Sequence, residues 1–132
     1  MGLSKNAPCP CGSGQKYKKC CYLYHKGRPC ATPVDLMKSR YSAYAAGEAG
    51  YIVATTHPRY RPADTKAWRS EIAAFCKSRF LGLTILDSGW DEWEGFVEFA
   101  AKIDGYTLRE KSRFVKEEGR WYYTEGDVDV YQ

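Results

Sequence analysis

Residues 96–126 read FVEFAAKIDGYTLREKSRFVKEEGRWYYTEG, and their hydrophobic character repeats every second position. Val97, Phe99, Ala101 and Ile103 fall on one side of an extended chain, with Phe96, Glu98, Ala100 and Lys102 on the other. That alternation predicts a strand over Phe96–Ile103 with one buried face. Asp104-Gly105, inside KIDGY, is a strong hairpin signal. A long strand, Tyr106–Lys116, follows it. EEGR is a second turn, and Arg120–Thr124 reads as the last strand.

Upstream, Leu81–Trp90 has the same strand character, and before it the period changes to that of helices. Thr32, Pro33 and Asp35 signal a helix start: a capping hydroxyl, a proline at the first position and an acid in the first turn. Met37, Tyr41, Tyr44 and Ala45 keep helical spacing, and Gly47 closes the element. A shorter helix is predicted from Ala49 to Thr56, ending before Pro58. Asp64 caps a third, whose apolar stripe is Trp68, Ile72, Phe75 and Cys76. About three helices followed by about four strands predict an α+β domain with an antiparallel sheet wrapped on its helices. With 132 residues, 44% hydrophobic and 15% aromatic, the chain can form one packed domain and a small appendage.

The appendage lies at the N-terminus. Composition changes at the linker GRPCATP, which divides residues 1–28 from residues 29–132. Within the first part, CPCGSGQKYKKCC (residues 9–21) holds four of the six cysteines. Cys9 and Cys11 form a C-x-C pair, eight residues intervene, and Cys20 and Cys21 are adjacent. Three readings compete: a tetrahedral zinc site, a pair of disulfides, or reactive thiols. Four thiolates in one short loop can surround zinc, and Gly12-Ser13-Gly14 permits the tight turn that brings backbone N–H groups toward the sulfurs. Adjacent cysteines bond to each other only with strain, and the C-x-x-C spacing of redox pairs is absent. No stretch approaches the ~18 apolar residues of a membrane span, and no secretory signal precedes the cluster. A cytoplasmic protein with reduced thiols is expected, and the spacing favours zinc. Cys30 is a further candidate ligand, and Cys76 reads as a small core residue.

Charge is unevenly distributed. Lys5, Lys16, Lys18, Lys19, Lys26 and Arg28 fall within residues 1–30, where there is no acidic residue; all 16 acidic residues lie beyond. A basic head on a mildly acidic body points to a negatively charged partner.

CPCGSGQKYKKCC closely resembles the SEC-C motif, a small zinc module best known from the C-terminus of the SecA translocation motor. The resemblance places Cys9, Cys11, Cys20 and Cys21 on the metal-ligand positions, Cys21 standing where SecA-type copies have histidine. It implies a structural zinc site with all four positions filled by protein. In SecA the module docks a chaperone and the ribosome, so docking through Lys16, Tyr17, Lys18 and Lys19 to an acidic protein, ribosome or RNA surface is the implied role. The stretches SRYSAYAAGEAGYIVATTHP and EKSRFVKEEGRWYYTEG, in this order after the motif, resemble the YchJ-like family. Its members join a SEC-C motif to a domain of the nuclear-transport-factor-2-like (NTF2-like) fold, in which a curved sheet rolls around helices into a hollow cone. Members often carry a second SEC-C copy at the C-terminus; this chain ends at GDVDVYQ without one, which puts two-site docking in doubt. Cones of this fold commonly dimerise through their sheets, so a homodimer is a fold-level expectation.

The cone raises an alternative function. If Leu108 and Phe114 point inward, so do Glu110 and Ser112. An inward carboxylate among apolar neighbours is desolvated unless paired, the setting in which catalytic acids and bases are found. Enzymes of this fold, a ketosteroid isomerase among them, place a carboxylate and a tyrosine in the hollow. His57, Glu110 and Tyr123 are accordingly the candidate pocket residues, with Trp121 and Tyr122 as neighbours, for a small-molecule binder or an isomerase, dehydratase or hydrolase. Glu110 is equally a structural partner for Arg40, Arg69 or Arg79. No catalytic triad order, phosphate loop or H-E-x-x-H motif appears, so catalysis stays open. A third reading is nucleic-acid binding, with Arg109, Lys111 and Arg113 following a phosphate backbone and Tyr17, Tyr22 and Tyr24 stacking on bases.

Overall fold

The computed structural model describes residues 3–132; Met1 and Gly2, which open the module drawn over 1–28, lie outside the described residues. Four helices precede four strands: α1 (Cys21–His25), α2 (Pro33–Ala46), α3 (Ala49–Thr55), α4 (Thr65–Phe75), β1 (Phe80–Trp90), β2 (Glu94–Ile103), β3 (Tyr106–Glu117) and β4 (Arg120–Tyr131). The expected α+β order therefore holds, with α1 as an addition inside the cysteine module.

The strands form one antiparallel sheet in the order β1-β2-β3-β4. Ile103 pairs with Tyr106 across the β2–β3 hairpin, where Asp104 takes φ 53°. Asp104 also binds the chain before β1: its Oδ1 accepts from the Arg79 N–H at 2.8 Å. In the β3–β4 hairpin Glu118 and Gly119 take φ 52° and 79°, matching the positive φ a two-residue turn requires at both positions. The last strand runs seven residues beyond the predicted Arg120–Thr124. Gly126–Tyr131 pairs with the first half of β3, Thr107–Ser112, which otherwise has no partner on that side. A bulge between Arg113 and Phe114 precedes this extension, and Thr124 Oγ1 donates to the Arg113 carbonyl there at 3.1 Å.

Helix α2 organises the molecule. The Thr32 hydroxyl accepts from the Asp35 N–H at 3.1 Å, Pro33 occupies the first turn, and Gly47 ends the helix in the left-handed region at φ 78°. Nine of its fourteen residues are buried, among them Ser39, Arg40 and Ser42. An amphipathic stripe does not describe such a helix, because it is covered on several sides. Leu36, Met37 and Tyr41 join Val97, Phe99, Ala101, Ile103, Phe114 and Trp121 in the main core. Burying a side chain such as Leu36 or Phe114 contributes about 1.5–3 kcal/mol. Ala43 packs with Ile52 of α3 and Ile72 of α4. Ala46 joins Cys9, Cys11, Tyr17 and Cys21. The module is thus seated on α2, opposite the sheet's claim on the same helix.

Candidate metal centre and cavity

The cysteine module is a small hairpin followed by a helical turn. Pro8 bridges Lys16, the Cys9 N–H donates to the Gln15 carbonyl at 2.9 Å, and the Tyr17 N–H to the Ala7 carbonyl at 2.8 Å. Gly12 and Gly14, both at φ 84°, turn the tip between the cysteine pairs, and the Gly12 N–H returns to the Cys9 carbonyl at 3.1 Å. A single 3₁₀ turn over Tyr17–Lys19 then delivers Cys20 and Cys21 at the start of α1. The four Sγ atoms lie within 4.8 Å of one another, and those of Cys11 and Cys20 are 3.6 Å apart. A tetrahedral thiolate site with bonds near 2.3 Å has sulfur–sulfur edges of about 3.8 Å, so the cluster fits a metal ion. Cys9, Cys11 and Cys21 are buried, and Cys20, half-buried, lies 3.2 Å from the Ser13 hydroxyl. Hydrogen bonds from Cys11 and Cys21 pull the Cys9 thiol toward its ionised form, and the same contacts with Cys11 and Cys9 hold the proton on Cys21.

The remaining cysteines stand apart. Cys30 Sγ sits 3.7 Å from both the Ser39 hydroxyl and the Tyr51 hydroxyl, outside the cluster, and burial pushes its thiol up. Cys76 caps the end of α4 beside the Ala43, Ile52 and Ile72 cluster.

One residue that sequence reasoning missed ties the module down. His25 Nε2 donates to the Ser39 carbonyl of α2 at 2.8 Å, which leaves Nδ1 to accept from the Tyr17 hydroxyl at 2.6 Å. Burial lowers its pKa below the ordinary histidine value, so the neutral ring is the one that fits. The available signal was its place four residues after Cys21, one helical turn along the same face. Tyr17 is consequently buried at 4% exposure and offers no ring to a partner. Lys16, Lys18 and Lys19 remain exposed, and Lys5 and Lys26 place their ammonium groups 5.0 and 5.4 Å from the Tyr22 ring.

The sheet and helices enclose a cavity of about 390 Å³ lined by α2, α4 and the inner face of β2–β4. It receives two of the three pocket candidates. Glu110 Oε2 accepts from the Ser112 hydroxyl at 2.7 Å and the Tyr123 hydroxyl at 2.9 Å. Desolvation, followed by the Glu110 charge, pushes the Tyr123 phenol well above its ordinary value, so Tyr123 donates as the neutral phenol. His57 lies outside the lining. Its Nε2 meets Glu117 Oε2 at 2.7 Å, its Nδ1 accepts from the Arg59 N–H, and its own N–H donates to the Tyr123 carbonyl. Arg40, expected only as an ion partner for Glu110, instead packs its guanidinium 4.4 Å from the Tyr123 ring. The strand cations are compensated rather than free. Arg109 binds Glu98 at 2.8 Å, Arg113 binds Asp127 at 3.1 Å, and Lys111 covers the Phe96 ring.

This architecture defines an NTF2-like domain carrying a SEC-C module. The family described as YchJ, middle NTF2-like domain, matches residues 32–126, and the SEC-C motif matches residues 6–23. A UPF0225 protein of Pectobacterium carotovorum is 43% identical over 130 residues, spanning 89% of this chain and 81% of its own length. The UPF0225 protein YchJ of Shigella dysenteriae is 42% identical over 126 residues with the same shares. The chain belongs to the YchJ family. Among solved structures, a SEC-C motif containing protein from Rhodopseudomonas palustris superposes with a TM-score of 0.79 at 38% identity, covering 92% of this chain and 98% of its own. An NTF-2 like protein of unknown function from Silicibacter pomeroyi, at 10% identity and TM-score 0.57, covers 74% of this chain and 91% of its own; it shares the fold alone.

Proposed function

We propose that this protein is a zinc-stabilised docking protein of the cytoplasm. Its SEC-C module holds one structural zinc through Cys9, Cys11, Cys20 and Cys21 and presents Lys16, Lys18 and Lys19 to an acidic surface on a protein partner, ribosomal proteins included. The observation that carries this reading is the closed four-sulfur cluster with exposed lysines beside it. Four protein ligands leave no open coordination position for chemistry, which is the signature of a structural site. Zinc with four thiolates carries a net charge of −2, and the adjacent lysines offset it and leave the head basic. A protein surface is favoured over RNA by two facts. Tyr17 is buried, so it cannot stack on a base, and the cations of β3 are engaged with Glu98 and Asp127.

The test uses the zinc-loaded chain at low salt, with ribosome co-sedimentation and affinity capture. Binding that is lost when Lys16, Lys18 and Lys19 are all changed to Glu, and that falls as salt screens the surface, supports docking. Failure to sediment with ribosomes and to capture any partner, with zinc bound, overturns it.

A further inference from the structure

We propose that the inner cavity is a binding site for a small zwitterion: a carboxylate held by Arg40, an ammonium held by Glu110, and an apolar body of about the size of an aromatic side chain. The inference is independent of the metal centre. Arg40 is 8% exposed and lines the cavity. Its Nη1 donates to the Ile52 carbonyl at 3.2 Å and to the hydroxyls of Thr55 and Thr56 at 2.8 and 3.1 Å, all neutral acceptors. Among the described residues no carboxylate lies within 4.0 Å of the guanidinium, and Nε and Nη2 find no acceptor. Among the described residues no sealed side-chain nitrogen or oxygen lacks a partner, so these two nitrogens border open space. A guanidinium buried without an anion is costly, and an incoming carboxylate relieves that cost.

Glu110 is the complementary half. Oε2 takes both hydroxyl hydrogen bonds, Oε1 takes none, and no cation of the described residues lies within 4.0 Å. Its carboxylate lies over Gly126 of β4, where an added Cβ would come within 2.8 Å of the Glu110 carboxyl carbon. The fold thus keeps that position free of a side chain. Tyr123 holds the two charges apart: Arg40 stacks on its ring while Glu110 accepts from its hydroxyl. The pair therefore does not neutralise itself by contact, and a molecule bearing both opposite charges satisfies both ends. Tyr44, Trp68, Phe75, Phe80 and Phe99 supply an aromatic wall for its body, in a volume typical of small-molecule sites.

The experiment titrates the full zinc-loaded chain with L-phenylalanine, 3-phenylpropionate and 2-phenylethylamine up to about 10 mM, read by amide NMR shifts at Tyr123, Leu108 and Phe99. The expected result is tightest binding by L-phenylalanine, with each single-charge probe weaker by about tenfold. Glu110→Gln, which keeps shape and removes charge, then weakens phenylalanine and phenylethylamine and leaves phenylpropionate unchanged. Gly126→Ala does the same by displacing the carboxylate, and it decides the matter should the first variant fold poorly. No shift with any probe, equal affinity for all three, or equal weakening of all three by Glu110→Gln overturns the proposal.

Discussion

The two regions seated on helix α2 are built on opposite plans. The module buries sulfur and one tyrosine against Ala46 of α2, a cluster far too small to fold on apolar burial alone; a metal ion held by the four cysteines would close it. The body buries a sheet face and three helices, yet leaves a hollow in which two charged side chains stand apart. The module gathers four sulfurs, enough to fill a tetrahedral site from protein alone, whereas the body holds polar groups with bonding capacity to spare. Closed sites serve structure and presentation; open ones serve binding.

The largest expected effect breaks the module and spares the body. Cys21→Ser, or chelation of the loaded chain, should collapse the NMR dispersion of residues 3–28 while the sheet resonances persist; loss of both together would mean the body does not fold without the metal. Leu36→Ala does the reverse in size and place. It lies in the main core and should cost about 2–5 kcal/mol in urea unfolding, with metal content unchanged. His25→Gln probes the joint between the regions and should cost about 1–2 kcal/mol, through the lost Tyr17 and Ser39 partners. The same histidine gives a pH signature. Because its folded pKa is lowered, the unfolded chain binds the proton more readily, so its contribution is complete above the ordinary value of 6.5 and declines as pH falls below it. Stability measured from pH 8 to 5 should fall more steeply in the wild type than in His25→Gln. The smallest effect is the charge reversal of Lys16, Lys18 and Lys19, expected within about 0.5 kcal/mol because all three are exposed; a larger loss would assign them to structure instead of docking.

Local signals and distant ones divide the same way. The four-cysteine cluster was legible because all four lie within thirteen residues, where spacing alone sets geometry. The last two hairpins were legible from Asp104-Gly105 and EEGR, and α2 from Thr32, Pro33 and Gly47. The end of β4 was not, because EGDVD reads as a polar turn until β3 needs a partner for Thr107–Ser112. Strand alternation put Glu110 and Ser112 on the inner face, and the fold resemblance named Tyr123 as a companion. Arg40 was beyond reach as a cavity residue, since its role depends on Tyr123, 83 positions away, presenting a ring instead of a carboxylate. His57 looked like a pocket residue because a histidine beside Pro58 ends a helix near the sheet; the backbone bond to Tyr123 turns its ring toward Glu117. Tyr17 looked like a surface ring between lysines and is instead held inward by His25.

The most direct test of the central claim is elemental analysis of the protein purified without added metal, together with a count of reactive thiols. The account predicts about one zinc per chain, with Cys9, Cys11, Cys20 and Cys21 protected until a chelator is added. Metal-free protein in which those four thiols react freely while the module stays folded would contradict it.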